Sequence, residues 1–328
     1  MSKFLGRTLN FGLAKEGTRG TKETTVDYWV PLKSYGIDEK VDKAIDEAPI
    51  GVIERSGEVA ILRKYTEGDV SVQLGVDSIG LAFYGLFGTC TTSAATPEAS
   101  VYTHVFSVAQ TVIHQSLSLF KKDGAYQKVY PLAMINSFKL DIDIGADEHL
   151  GADIGFLAQE GITDTSSPSY SAETVFVPRM AKIKIATNLA GLSAADELCI
   201  KKVSLNINQK VQGDYTFCGG TSMDDANNLD MEIAGEFTLN LADATYLNYV
   251  LNNDYKALRI EIEDTGTTIG AVTNPKITID LAKVYFIDHK EDITFDELGS
   301  QTVSFIARYS SSDTEMVKAT LINDIASY

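Results

Sequence analysis

Four histidines and three cysteines are the residues of this chain best suited to proton transfer, nucleophilic attack or metal binding. Their spacing supports none of these. His104, His114, His149 and His289 do not pair at the short helical interval of a zinc helix, and no cysteine neighbours them. Cys90, Cys199 and Cys218 stand far apart and form no CxxC, so neither a disulfide framework nor a zinc site is expected. Asp288-His289 is an adjacent pair that reads as a solvated turn. The chain has no G-x-S-x-G elbow, no P-loop and no G-x-G-x-x-G opening a helix. Gly219-Gly220 sits in the polar stretch Cys218 to Asn228, expected to be a mobile loop. Asp224-Asp225 within it falls short of the alternating oxygen ligands of a calcium loop. No catalytic residue, cofactor or metal is expected. Linear sequence leaves open only a carboxylate pair brought together from distant strands.

The carboxylates that stand out lie instead at alternate positions. Leu140-Asp141-Ile142-Asp143-Ile144 and Leu258-Arg259-Ile260-Glu261-Ile262-Glu263 alternate apolar and polar residues. So do the stretches 70–74, 203–207, 237–241 and 277–281. Strict alternation predicts strands with one buried face and one wet face, as in antiparallel sheets. The net charge over 328 residues is −17. A protein that grips DNA phosphates needs the opposite sign, because neutralisation by Lys and Arg drives that affinity. An acidic surface suits solubility, or a wall past which DNA slides without sticking. No run of about 18 apolar residues predicts a membrane helix. The first residues lack an apolar signal region, which predicts assembly in the cytoplasm.

Residues 1–50 read as an irregular arm, with one amphipathic helix over Asp38 to Glu47 through Val41, Ala44 and Ile45, ending near Pro49. Tyr28, Trp29 and Pro31 lie in this arm and are candidates for an inter-subunit anchor, since aromatic residues carry interface energy. Tyr126 and Tyr130 read as core or rim. Two short helices are expected, one capped by Asp77 and ended by Gly88, the other capped by Asp243 and ended at Asn252-Asn253. They expose an internal repeat. Gly68–Leu74 lines up with Gly235–Leu241, each followed by a helix. Leu117–Phe120 then matches Leu258–Glu261, and Ile154–Ala158 matches Val303–Ala307. The expected organisation is an arm at 1–50, one copy at 51–165 and a second at 166–328, with a turn-rich linker at Asp164–Ser169.

With these residues in view, the chain resembles the tail tube proteins (major tail proteins) of long-tailed bacteriophages. The likeness is carried by Leu258–Asp264, Pro275–Val284, Gln301–Tyr309, the last strand Met316–Asn323, and in the first half by Arg63-Lys64-Tyr65 through Gly88. The resemblance implies a mainly β fold: tandem tail-tube-type sandwich or barrel halves, each with one short helix, that complete a ring β-barrel between subunits. It implies a non-enzymatic virion protein of the tail, stacked as rings into a tube that conducts genomic DNA during ejection without binding it specifically. Its partners would be copies of itself, with a trimer of pseudo-sixfold symmetry favoured over a hexamer, and the tape-measure, tail-tip and tail-terminator proteins. Asp141, Asp143, Glu261 and Glu263, on expected wet faces, become candidates for an acidic lumen. Closing a sheet into a ring removes its hazardous edges, and contacts along the ring axis then extend rings into a tube. A phage fibre or adhesin module is the alternative, but no variable, aromatic-rich binding loop stands out. Deletion of residues 1–35 is expected to leave a folded monomer that no longer polymerises.

Overall fold

Every stretch with strict alternation becomes strand. The computed structural model describes residues 4–55, 57–95, 98–218, 220–296 and 298–328; Met1 to Lys3 of the expected arm and Gly219 of the expected loop lie outside them. In chain order the N-terminal part runs β1 (Asn10–Lys15), β2 (Tyr28–Val30), β3 (Leu32–Tyr35), β4 (Asp38–Ile45), β5 (Val59–Gln73), α1 (Ile79–Phe87), β6 (Gly88–Ala94), β7 (Tyr102–Val108), β8 (Leu117–Lys122), β9 (Gln127–Asp143), β10 (Gly151–Ala158) and β11 (Ile162–Thr163). The C-terminal part runs β12 (Ala181–Ala186), β13 (Glu197–Leu198), β14 (Ile200–Asp214), β15 (Asp225–Asn240), α2 (Thr245–Asn252), β16 (Tyr255–Glu263), β17 (Lys276–Asp292), β18 (Ser300–Arg308) and β19 (Val317–Asn323). The fold is therefore mainly β, with two short α-helices among the described residues. Residues 164–174 hold neither helix nor strand.

Two long strands organise the sheet, and all strand ladders are antiparallel. The first half of β9 pairs with β8, β8 with β1, and β1 with β2. Its second half pairs with β10 on one side and β14 on the other. β10 continues to β5, and β5 to β3 and β4. The strand β17 is laid out in the same way. Its first half pairs with β16, β16 with β12, and β12 with β13; its second half pairs with β18, β18 with β15, and β15 with β14. In both parts a last strand returns to the first half of the long strand, β11 to β9 and the longer β19 to β17, and β19 also reaches β7 and so β6.

The registers correspond as well as the order. Gly68 faces Phe156, and Gly235 faces Phe305. A register shift falls between Gly155 and Phe156 against β9, and another between Phe286 and Asp288 against β18, with Phe156 and Phe305 at the matching points. Shifts at Leu32/Ser34 and Ile200/Lys202 also correspond, as do those at Leu117/Leu119 and Lys256/Leu258. By this pairing Leu119, and not Leu117, stands where Leu258 does. The alignment read from sequence at that strand is two residues out, because Leu-Ser-Leu and Leu-Arg-Ile repeat every second residue.

The main core lies under the long strands and around α1. It holds Phe83, Phe87, Phe106, Phe138 and Phe156 from the N-terminal part and Phe237, Phe286 and Phe305 from the C-terminal part. Phe11, Leu13 and Val30 are buried in it, so β1 and β2 are core strands, and removing residues 1–35 would strip them out. A buried carboxylate, Glu16, fixes the next turn. It accepts hydrogen bonds from the Ser116 hydroxyl (2.6 Å) and from the backbone N–H of Leu132 (2.7 Å) and Gly20 (2.8 Å).

Residues 38–45 are strand, not the expected helix. Val41, Ala44 and Ile45 fit a helical stripe, but the whole segment pairs with β5 in a hairpin from Asp38↔Glu67 to Ile45↔Val59. No residue of β4 is buried within the chain, so no period of two was there to read. The expected loop at 218–228 is also shorter, since β15 begins at Asp225.

Candidate functional site

The second halves of β9 and β17, with β5, β10, β14, β15 and β18, present one continuous polar face. Along β9, Phe138, Leu140 and Ile142 are buried, while Lys139, Asp141 and Asp143 point the other way into solvent. Across the ladder Lys139 stands opposite Asn206, Asp141 opposite Ser204 and Asp143 opposite Lys202. On the other side of β9, Asp153 faces Lys139. Glu236 follows on β15 opposite Ser204, and Ser304 on β18 opposite Glu236. Lys139 Nζ lies 2.6 Å from Asp141 Oδ2. Partial burial pushes the Asp141 carboxyl up, but the bonds from Lys139 and the Ser204 hydroxyl outweigh it and hold the group below the usual carboxylate range. The face is thus a mosaic of acids, amides, hydroxyls and a few lysines.

Glu261 and Glu263 are not on it. They lie on β16, in the other row of strands, where Glu261 is buried between Lys182 and Thr278 and its Oε2 is 3.1 Å from Lys276 Nζ. Its neighbour Arg259 is bound in a bidentate pair to Asp280, at 2.6 and 2.9 Å. Alternation marked Glu261 as wet, but strands lie on both sides of β16 and the ion pairs cover its polar face. The structure therefore separates the four acidic candidates: Asp141 and Asp143 lie on the continuous face, Glu261 is buried in an ion-pair row, and Glu263 is half-buried at the end of the same strand.

The arm candidates also fold onto their own chain. Trp29 is buried against Ala14, Val129 and Phe120, with ring centroids 6.4 Å apart in the aromatic pair. Tyr28 packs near Tyr328, at 6.2 Å. The Pro31 carbonyl accepts from Gln73 N–H at 2.9 Å.

The histidines stay apart. His104 bonds Asn323, Ile325 and Thr92; His114 bonds the carbonyls of Leu86 and Ala109; His289 Nε2 lies 2.9 Å from Gln301 Oε1. Asp225 is taken by Arg19 at 2.7 Å. Among the described residues no three His, Cys, Asp or Glu side chains gather as metal ligands would. The largest cavity described, about 670 Å³, lies between residues 107–114, the β14–β15 hairpin and residues 309–317. The amide of Asn228 and the Gln209 carbonyl oxygen are buried there without partners. Its lining also carries His114, Asp230 and Glu315, but among the described residues His114 is bonded to the carbonyls of Leu86 and Ala109 and not to a nucleophile.

Among the described residues several strands pair on one side alone, β2, β6 and β13 among them, and two further open edges correspond to the two strands joined at β9 and β14. β3 and β4 pair only with β5, and Asp288–Asp292 of β17 pairs only with β18. The hairpin between β4 and β5 exposes Ile45, Ile50, Val52, Ile53, Val59, Ile61 and Leu62, an apolar strip of the kind that marks an interaction surface. Sequence reasoning missed both features. The signal for the strip was present in the aliphatic run itself, Ile50 to Ile53 and Val59 to Leu62.

A mainly β chain with open edges, an exposed apolar hairpin and one long polar face has the build of a structural subunit. The chain belongs to the phage tail tube protein family, whose model matches residues 6–307. It is accordingly a structural protein of the bacteriophage virion tail. No curated protein matches it.

Proposed function

We propose that three copies of this chain form one ring of the tail tube, with pseudo-sixfold symmetry, and that rings stack into a channel for the genome. The carrying observation is the correspondence between the two parts of the chain. Asn10–Ala158 and Ala181–Arg308 share strand order, partner choice and the positions of their register shifts. Register shifts of a ladder are kept among related folds, and their recurrence at matched points favours two tandem copies of one tube-type unit over chance. Six units then need three chains. This reading moves the start of the first copy from residue 51 back to β1, so that little arm remains.

In such a ring the polar face of Asp141 and Asp143, with Asp153 and Glu236, lines the lumen. Carboxylates there repel the phosphate backbone, and the scattered lysines are too few to hold it. DNA and, before it, a tape-measure protein pass without specific binding, while tail-tip and terminator proteins cap the tube. Assembly takes place in the host cytoplasm. Glu261 and Glu263 have no part in the lumen.

Electron microscopy of the concentrated protein with mass measurement of single rings tests this. Hollow tubes of uniform bore with three chains per ring are expected. A six-chain ring overturns the tandem reading, and a chain that stays monomeric even with a tail-tip complex present overturns the tube.

A further inference from the structure

The chain contains a joint between its two parts, and the same two strand edges that make this joint are free at its ends. Inside the chain the second half of β9 pairs with β14, from Ser137↔Asn208 to Asp143↔Lys202. The strand that corresponds to β9 is β17, whose segment Asp288–Thr294 has no neighbour on that side. The strand that corresponds to β14 is β3–β4, whose segment Ser34–Lys40 is likewise open. We propose that these edges join between neighbouring copies, antiparallel and in the register of the internal joint, with Asp288 opposite Lys40, Lys290 opposite Asp38 and Thr294 opposite Ser34. This rests on the tube reading and adds to it the surface and the register through which copies meet.

Charge supports the register. Asp288 meets Lys40 and Lys290 meets Asp38, so two pairs carry opposite charges, while Glu39 between them is held by Lys128 of its own chain. A slip by one residue in one direction puts Asp288 against Glu39 and Lys290 against Ile37, and in the other it puts Asp288 against Val41, so neither keeps both pairs. Opposite charges directly across a ladder stabilise it and like charges oppose it.

Burial supports it independently. By correspondence Val41, Val59 and Ile61 on the β4–β5 hairpin occupy the places of Gln209, Ala226 and Asn228 on the β14–β15 hairpin. The latter three are 4%, 0% and 3% exposed, because the N-terminal part covers them with Leu132, Met134 and the loop near Val112. The former three are 43%, 57% and 46% exposed. The places of Leu132 and Met134 are taken in the C-terminal part by Lys283 and Tyr285, and Tyr285 pairs with the exposed Tyr255 at 5.7 Å between ring centroids. The more apolar hairpin is thus the uncovered one, and the face positioned to cover it in a neighbouring copy carries two tyrosines. The edges themselves are charged, as native edges are when they must not pair indiscriminately.

The test uses the full chain with Cys90→Ala, Cys199→Ser and Cys218→Ser, adding Asp38→Cys and Lys290→Cys and a short bis-maleimide cross-linker. Covalent dimers and trimers, ending at a closed trimer, are expected under assembling conditions. The pair Asp38→Cys with His289→Cys, one residue off and on the opposite face, should give at least about tenfold less product. Tubes that form by microscopy without this ladder overturn the joint and leave the tube standing; absence of tubes in the unmodified chain, with a tail-tip complex present, overturns both. If cysteines impair assembly, charge exchange decides. Asp38→Lys and Lys290→Asp singly should raise the assembly concentration about fivefold or more, and together restore it. No restoration, with the monomer still folded, overturns the register.

Discussion

Helices α1 and α2 follow corresponding strands, yet one is enclosed and the other open. Of the residues of α1, only Tyr84 escapes burial, whereas in α2 only Tyr246 is buried. The difference lies in what the chain does next. After α1 it inserts the β6–β7 hairpin before β8, and that hairpin joins β19. The Tyr328 ring then lies over Gly80, where a Cβ would come within 2.2 Å of it. After α2 the chain turns through Asn253, at φ 53°, straight into β16. Helix α2 therefore rests on Phe237 and Phe286 through Tyr246 and Tyr249 and leaves Leu251 in solvent. The same contrast runs through the joints. The covered joint has Phe138, Leu140 and Ile142 on its core side, and the open edge has His289, Glu291 and Ile293 at those places. At the joint itself the edge covered by its own chain is apolar on its core side, and the uncovered edge carries charge.

The strongest way to break this contrast is to exchange the joint residues. Leu140→Glu places a carboxylate at a buried position with no cation to meet it, and should cost about 4–5 kcal/mol. Glu291→Leu should change monomer stability by no more than about 0.5 kcal/mol while lowering the concentration at which tubes appear. Urea unfolding of the two variants gives the first quantity and light scattering the second. Equal costs at both positions would mean that the edges are not counterparts.

The helices give the next effect. Phe83 packs on Phe87, Phe106 and Phe138, with centroids 5.4–6.0 Å apart, so Phe83→Ala should cost about 3–4 kcal/mol through the cavity it leaves. Leu251→Ala on α2 should stay within about 0.5 kcal/mol. A large loss from Leu251→Ala in the monomer would show that α2 is covered after all.

Strands and helices were legible in the sequence where one face is buried by the chain itself. Val70–Leu74, Leu140–Ile144 and Ile277–Leu281 alternate because a core lies on one side. The β4 strand was not legible, since none of its residues is buried by the chain; its aliphatic residues then matched a helical stripe by spacing alone. Asp141 and Asp143 were placed on the wet face by alternation, whereas Glu261 has the same pattern but is covered by Lys182 and Lys276, a tertiary fact that no period encodes. Trp29 gave no sign of whether it packs on its own chain or another. The open edges were invisible for the same reason, because what a strand lacks is not written in its own residues.

The smallest effect concerns how the two helices begin. Asp243 accepts from Thr245 N–H at 2.9 Å and starts α2 as its sequence suggests. Asp77 does not cap α1. Glu173, distant in sequence, accepts from the N–H groups of Asp77 and Ser78 at 2.9 Å each, and Asp77 Oδ1 is left buried without a partner. Burial, with Glu173 and Asp324 close by, pushes the Asp77 carboxyl up to about 6. The folded chain then holds this proton more tightly than the unfolded chain, whose value is near 4. Stability from this group is present below about pH 4, falls between about pH 4 and pH 6, and stays lost above. Asp77→Asn should remove that fall and raise the melting temperature at pH 7 by a few degrees at most, because the site is partly open to solvent, with little change at pH 4. Thermal melts of the two proteins from pH 4 to pH 8 measure it. Parallel curves would mean that Asp77 is ionised at no cost, and that α1 is as tolerant of charge at its start as α2.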